Sequence, residues 1–189
     1  MFAYWESFEK HFLAALEEAT VDEFRVAWKS EKERTCFYKE IIATRIAASM
    51  NMQFTSELFK VDFALCATST NGHLVPLIFV ESENKANTAT HEVRKLCSLS
   101  APLKVLITCV EWCEESGYWR SGGSKTKLLS RWREIISAHN EVRPQECVYG
   151  IIVGEWHSGD GPLRFYSMAF NNSGELVRQE KIIFERVFG

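Results

Sequence analysis

Apolar residues recur at three- and four-residue steps over 4–19, where Trp5, Phe8, Phe12, Ala15, Leu16 and Ala19 form one stripe. Glu6, Glu9, Lys10, Glu17 and Glu18 fill the other side. That spacing predicts an amphipathic helix laid on a core. A weaker apolar patch follows over 21–28, and the charged run KSEKER over 29–34 reads as a solvated turn or an exposed first helical turn. Helical period returns over 35–50, with Phe37, Ile41, Thr44, Ala47 and Ala48 on one side, until Asn51 breaks it. Residues 52–58 suit a short strand or the lead-in to the next one.

Between 59 and 85 the period changes. Two apolar runs, FKVDFALCATS and LVPLIFVESENK, flank TNGH, and Asn71-Gly72 predicts a two-residue hairpin turn between them. Over 86–100, Val93, Leu96 and Leu99 line one side of a predicted helix, with Thr88 as a candidate cap; 103–110 (LKVLITCV) is an apolar strand. Strand, helix and strand at this spacing predict a crossover that lays 103–110 parallel to 74–80. A Gly/Ser-rich loop (GYWRSGGSKTK) then precedes a helix over 128–139. Runs over 148–155, 163–170 and 176–184, separated by turn residues, predict three further strands. The expected fold is α/β, one domain over 1–189: a central mixed sheet, hairpin plus parallel extension, flanked by helices. Its core lies at 35–110, and 111–189 adds a C-terminal helix and strands.

Composition adds limits. At 189 residues, 46% hydrophobic and 25% charged, the chain can bury a full core, and a net charge of −3 does not describe a strongly basic binder. Six cysteines without a CxxC pair suggest free thiols in a reducing cytoplasm, and no apolar run approaches the ~20 residues of a membrane helix. There is no G-x-S-x-G, no P-loop and no G-x-G-x-x-G after a strand.

The chemistry concentrates in the hairpin. Residues two apart share a strand face, so Glu81, Glu83 and Lys85 lie together, and a regular turn at Asn71-Gly72 sets Asp62 opposite Glu81. Opposed carboxylates repel, and a divalent cation between them removes the repulsion. A helix with Glu40, a strand with Asp62, a strand ending in alternating acids with Lys85, a helix and another buried strand resemble the core of the PD-(D/E)XK nuclease superfamily, over 35–110. The resemblance implies a restriction-endonuclease-like fold and a Mg²⁺- or Mn²⁺-dependent nuclease hydrolysing phosphodiesters in DNA or RNA, DNA ahead of RNA. The alternative is an inactive module of that fold binding nucleic acid or protein. It implies Asp62, Glu81 and Glu40 as metal ligands and Asp62, Glu81, Glu83 and Lys85 as catalytic groups. Glu83-Asn84-Lys85 fits the motif by letter, while the register favours Glu81 and Glu83 as the pair, with Lys60 an alternative cation. Arg120, Lys125, Lys127 and Arg131, near Trp119, are the candidate nucleic-acid contacts. A homodimer or a partner protein is compatible with the aromatic content. Exposed helix charge is the default for His91 and Arg94.

Overall fold

The computed structural model of the chain describes residues 1–112, 125–156 and 161–188. Among the described residues, seven strands form one sheet in sequence order: β1 (Gln53–Ser56), β2 (Phe63–Thr68), β3 (Leu74–Glu83), β4 (Leu103–Cys109), β5 (Val148–Trp156), β6 (Leu163–Asn171) and β7 (Leu176–Arg186). β3, β4 and β5 run parallel, as the crossover spacing predicts, and all other neighbours are antiparallel. The helices are α1 (Phe2–Glu18), α2 (Val21–Ala27), α3 (Glu31–Cys36), α4 (Ala43–Ser49), α5 (Thr90–Ser98) and α6 (Lys125–Val142).

Local chemistry explains the helix starts. Thr20 accepts from the backbone of Glu23, whose side chain returns the bond to Thr20, so α2 opens on a capping box. The charged run over 29–34 divides at Ser30, whose hydroxyl accepts from Glu33 N and starts α3 with Glu31 and Glu33 in its first turn. α3 continues through a π-helical segment, Phe37–Ile42, into α4. Thr88 does not cap α5; its hydroxyl donates to Lys85 O, one turn earlier.

The sheet is covered on both faces. Phe63, Leu65, Ile78, Val80, Leu103, Val105 and Ile107 meet α1 through α4 on one side. Ala64, Cys66, Phe79, Leu106, Ile151 and Val153 meet α5 and α6 on the other. Because alternate residues face opposite ways, every acid or lysine in these strands is committed to one layer.

The hairpin differs from its expected form in two ways that offset each other. The turn is wider than two residues: Ser69 and His73 close it, and Gly72 takes a φ of 81° that suits glycine. A bulge between Leu65 and Cys66 then leaves Leu77 without a counterpart and restores the pairing of Leu65 with Ile78, Ala64 with Phe79 and Phe63 with Val80. Carried one step further, that register sets Asp62 abreast of Glu81.

α1 crosses β5 where Gly150 leaves no side chain. A Cβ there would lie 2.1 Å from Trp5 Cζ3, and Trp5 is fully buried. Gly150→Ala is therefore expected to lower stability by about 1–3 kcal/mol in denaturant unfolding, the usual cost of overpacking. Trp5→Leu in the same chain should recover part of that loss.

Candidate functional site

The parallel strands end together, and their carboxyl ends are where open α/β sheets collect ligands. Glu81 closes the buried part of β3 there, on the α5 side of the sheet, and only 2% of it is exposed. A carboxylate in that position is strongly disfavoured without a cation or donors. α5 supplies the cation. Its apolar stripe of Val93, Leu96 and Cys97 seats it on the sheet, and Lys95 then reaches Glu81 Oε1 at 2.7 Å. Glu92, one turn earlier on α5, lies 2.5 Å from the same ammonium, and the carbonyl of Lys60 accepts from it at 3.2 Å. The ammonium of Lys95 thus has three oxygens around it, of which the Lys60 carbonyl is its hydrogen-bond acceptor, while Glu81 and Glu92 meet it as charge contacts.

Asp62 stands beside this pair, half-buried, with Oδ2 accepting from Ser82 N at 2.7 Å. Just before it, Glu57, Phe59 and Lys60 all have positive φ (56°, 53° and 64°), a costly conformation for residues other than glycine. This turn delivers the Lys60 carbonyl to Lys95 and leaves Phe59 exposed at the rim, edge-on to Phe79.

Burial is the largest influence on both acids. It raises Glu81 to about 8, with the negative charges of Asp62 and Glu92 adding to the rise and Lys95 opposing it. Asp62 is raised as well, by burial first, against the lowering effects of the Ser82 N–H and of Lys95. Burial alone would lower Lys95, but Glu81 and Glu92 outweigh it, and its pKa is raised. Near neutrality Glu81 holds its proton beside a charged Lys95. Glu81 is sealed in, whereas the Lys95 side chain is 27% exposed, so Lys95 and Asp62 are the members that meet solvent.

The other residues singled out in the sequence lie elsewhere. Glu83 turns back on its own loop, accepting from Lys85 N at 3.0 Å. Lys85 pairs with Glu31 on α3 at 3.1 Å, and Asn84 bonds Arg34 and Thr35, so the segment after β3 is drawn toward α3. Glu40 is exposed on the π-helical segment and lines a cavity of about 350 Å³ with Thr20, Asp22 and Glu23. Lys125 pairs with Glu180 at 2.8 Å and Arg131 with Glu134 at 3.3 Å; Lys127 is exposed on α6. Arg120 and Trp119 lie outside the described residues, as does Cys113; the five described cysteines are free thiols.

Two further buried acids, absent from the sequence reading, sit at the same end of the sheet. Glu155 closes β5, accepting from Trp112 N at 2.8 Å and from the Tyr166 hydroxyl at 2.6 Å, and Glu111 is buried just past β4. Each is an acid at the end of an apolar strand, the same signal that picked out Glu81. Lys95 and Glu92 were also missed; their spacing of three on a helix is the feature that could have found them.

No family model and no curated protein matches the chain. Among solved structures it is loosely similar to a carbon-nitrogen hydrolase from Helicobacter pylori G27, at a TM-score of 0.39 and 9% identity over 89% of this chain and 69% of that one. An overlap this loose transfers neither family nor activity. These findings correct the expectation of a PD-(D/E)XK nuclease, which no family model and no curated protein returns. The restriction-endonuclease-like assignment, phosphodiester hydrolysis and the inactive nuclease-fold alternative are withdrawn with it. What stands is an α/β fold with a seven-stranded mixed sheet flanked by helices. The metal-binding reading is corrected too: among the described residues, no three His, Cys, Asp or Glu side chains are disposed to hold an ion. The reason is visible in the geometry, where the ammonium of Lys95 takes the place beside Glu81 that the cation was expected to fill, and Glu40 lines a different cavity. No helix among the described residues is long and apolar enough to cross a membrane.

The raised pKa of Glu81 has a signed consequence for stability. In the unfolded chain the proton leaves near 4.5, in the folded chain near 8, so between these values only the folded form keeps it. Stability from this group is complete below 4.5, falls as pH rises toward 8 and stays low beyond. Glu81→Gln should flatten that slope in unfolding midpoints measured from pH 4 to 9 and should gain on the parent at the alkaline end. An unchanged slope would remove Glu81 as its source.

Proposed function

We propose that the chain is a hydrolase working by general acid–base catalysis on a carbonyl substrate, with Asp62, Lys95 and Glu81 as its working groups. The observation that carries this reading is the buried Glu81–Lys95 pair, held at 2.7 Å with Asp62 alongside at the carboxyl end of the parallel strands. Strained backbone at Phe59 and Lys60 adjoins it, as strain often does at working sites.

In this reading Asp62 takes a proton from water as the water attacks the carbonyl carbon. Lys95, the partly exposed cation, stabilises the single oxyanion that forms, which suits one ammonium better than it would a phosphate with several charged oxygens. Glu81 stands behind Lys95. It is a proton-holding group near neutrality, and its ionisation fixes how strongly the lysine is held. Glu92 and the Lys60 carbonyl keep the ammonium aimed. Glu83, Lys85 and Glu40 have no part in it.

The test is turnover of p-nitrophenyl esters and of amide anilides by the parent, Asp62→Asn and Lys95→Met between pH 6 and 9. Each variant is expected to lose about 100-fold or more in kcat/KM, within the usual range for a positioned acid or base. Parent activity no greater than buffer on both panels, or variants as active as the parent, would overturn the reading.

A further inference from the structure

The chain passes from β1 to β2 through a turn over 57–62 that contains three apolar residues, Leu58, Phe59 and Val61. Leu58 packs against the core layer under α5, and Val61 is buried. Phe59 points the other way, and 63% of it is exposed. Among the described residues no other phenylalanine, tyrosine or tryptophan is exposed. A lone exposed apolar side chain means little by itself. This one also carries strain: the φ of Phe59 is 53° and that of Lys60 is 64°, a left-handed conformation that suits glycine or asparagine and is an outlier for a bulky aromatic.

The turn is closed at every step, which keeps it in that conformation. Glu57 N donates to Asp62 O at 3.1 Å, Lys60 N to Glu57 O at 3.2 Å and Val61 N to Leu58 O at 3.1 Å. Lys39 pairs with the Glu57 side chain at 2.9 Å. Strain held in place by its surroundings is commonest at working sites.

The neighbours of Phe59 belong to such a site. Its ring meets Phe79 edge-on, with 6.1 Å between centres and 77° between planes. Phe79 stands two residues before Glu81 in β3, so both side chains leave the sheet on the face that α5 covers. Lys60, the next residue, gives its carbonyl to Lys95 at 3.2 Å, and Asp62 follows two positions later. Phe59 therefore flanks the two groups of the site that meet solvent, with the outer side of its ring open.

We propose, resting on the hydrolase reading above, that Phe59 is the specificity-determining contact of this site and that the substrate is an ester or amide whose acyl group carries an aromatic ring. With the carbonyl carbon between Asp62 and Lys95, that ring packs on the open side of Phe59, in the offset or edge-on arrangement that aromatic pairs favour. Adjacent residues of one strained turn then have complementary tasks. Phe59 receives the acyl group, and the Lys60 carbonyl aims the ammonium.

The test compares kcat/KM of the full chain and of Phe59→Asn on p-nitrophenyl phenylacetate and p-nitrophenyl acetate, which differ only in the acyl group. Asparagine accepts the left-handed backbone, so the turn should keep its shape without the ring. The phenylacetate-to-acetate ratio is expected to fall about tenfold or more in Phe59→Asn, within what one apolar contact discriminates, and to be kept by Phe59→Tyr. An unchanged ratio in a chain that turns over both esters would overturn the proposal and leave the hydrolase reading standing. Where neither ester is turned over the hydrolase reading fails, and binding of 4-fluorophenylacetamide, followed through its ¹⁹F resonance, decides for Phe59 alone. A perturbation by the parent that Phe59→Asn abolishes and Phe59→Tyr keeps supports the aromatic contact. One that is absent in the parent, or equal in Phe59→Asn, overturns it.

Discussion

The contact between Glu81 and Lys95 is the one on which the upper end of the molecule depends. A carboxyl group buried to 2% exposure must be neutral or paired, and this one is close to the boundary between the two states. Lys95 reaches it only because α5 is seated on the sheet by Val93, Leu96 and Cys97. The Lys60 carbonyl reaches Lys95 only because residues 57, 59 and 60 accept a left-handed backbone. Sheet, crossover helix and strained turn therefore hold one charge cluster in common. Removing Lys95 would leave an uncompensated buried acid, which costs more than the pair contributes.

The architecture explains why the acids gather at one end. Parallel strands β3, β4 and β5 point their carboxyl ends the same way, and each apolar run stops at an acid: Glu81 in β3, Glu111 after β4 and Glu155 in β5. Glu81 and Glu155 are stabilised by different devices. Glu81 has an ammonium, and Glu155 has a backbone N–H and a phenol. The opposite end of the same strands carries the reverse case, Lys104, a buried lysine that donates to Gln145 and Tyr149.

Much of the fold was legible because periodicity reports burial directly. The stripe of Trp5, Phe8 and Phe12 marked α1, and the strand, helix and strand spacing marked the parallel pair β3 and β4. The hairpin register came out at Asp62 beside Glu81 although the turn was misjudged, because the wider turn and the bulge at Leu65 and Cys66 offset one another. Spacing could not show where long side chains go. Lys85 follows the acids in sequence yet swings to Glu31, whereas Lys95, twelve residues after Glu83, swings into the cluster. A helix lysine is solvated by default, and only the tertiary seat of α5 overrides that. Short motifs with loose spacing misled for the same reason: Glu40, Asp62, Glu81 and Lys85 occur in a suggestive order, but Glu40 and Lys85 finish away from Glu81.

The central claim is that Glu81 is a buried acid titrating near neutrality under the control of Lys95. It is tested most directly by following the side-chain carboxyl carbon of Glu81 in ¹³C-glutamate-labelled protein by NMR, assigned with Glu81→Gln. The account predicts an inflection near pH 8, shifted upward in Lys95→Met, because the ammonium opposes the rise. Titration in the ordinary carboxylate range around pH 4, indifferent to the loss of Lys95, would contradict it.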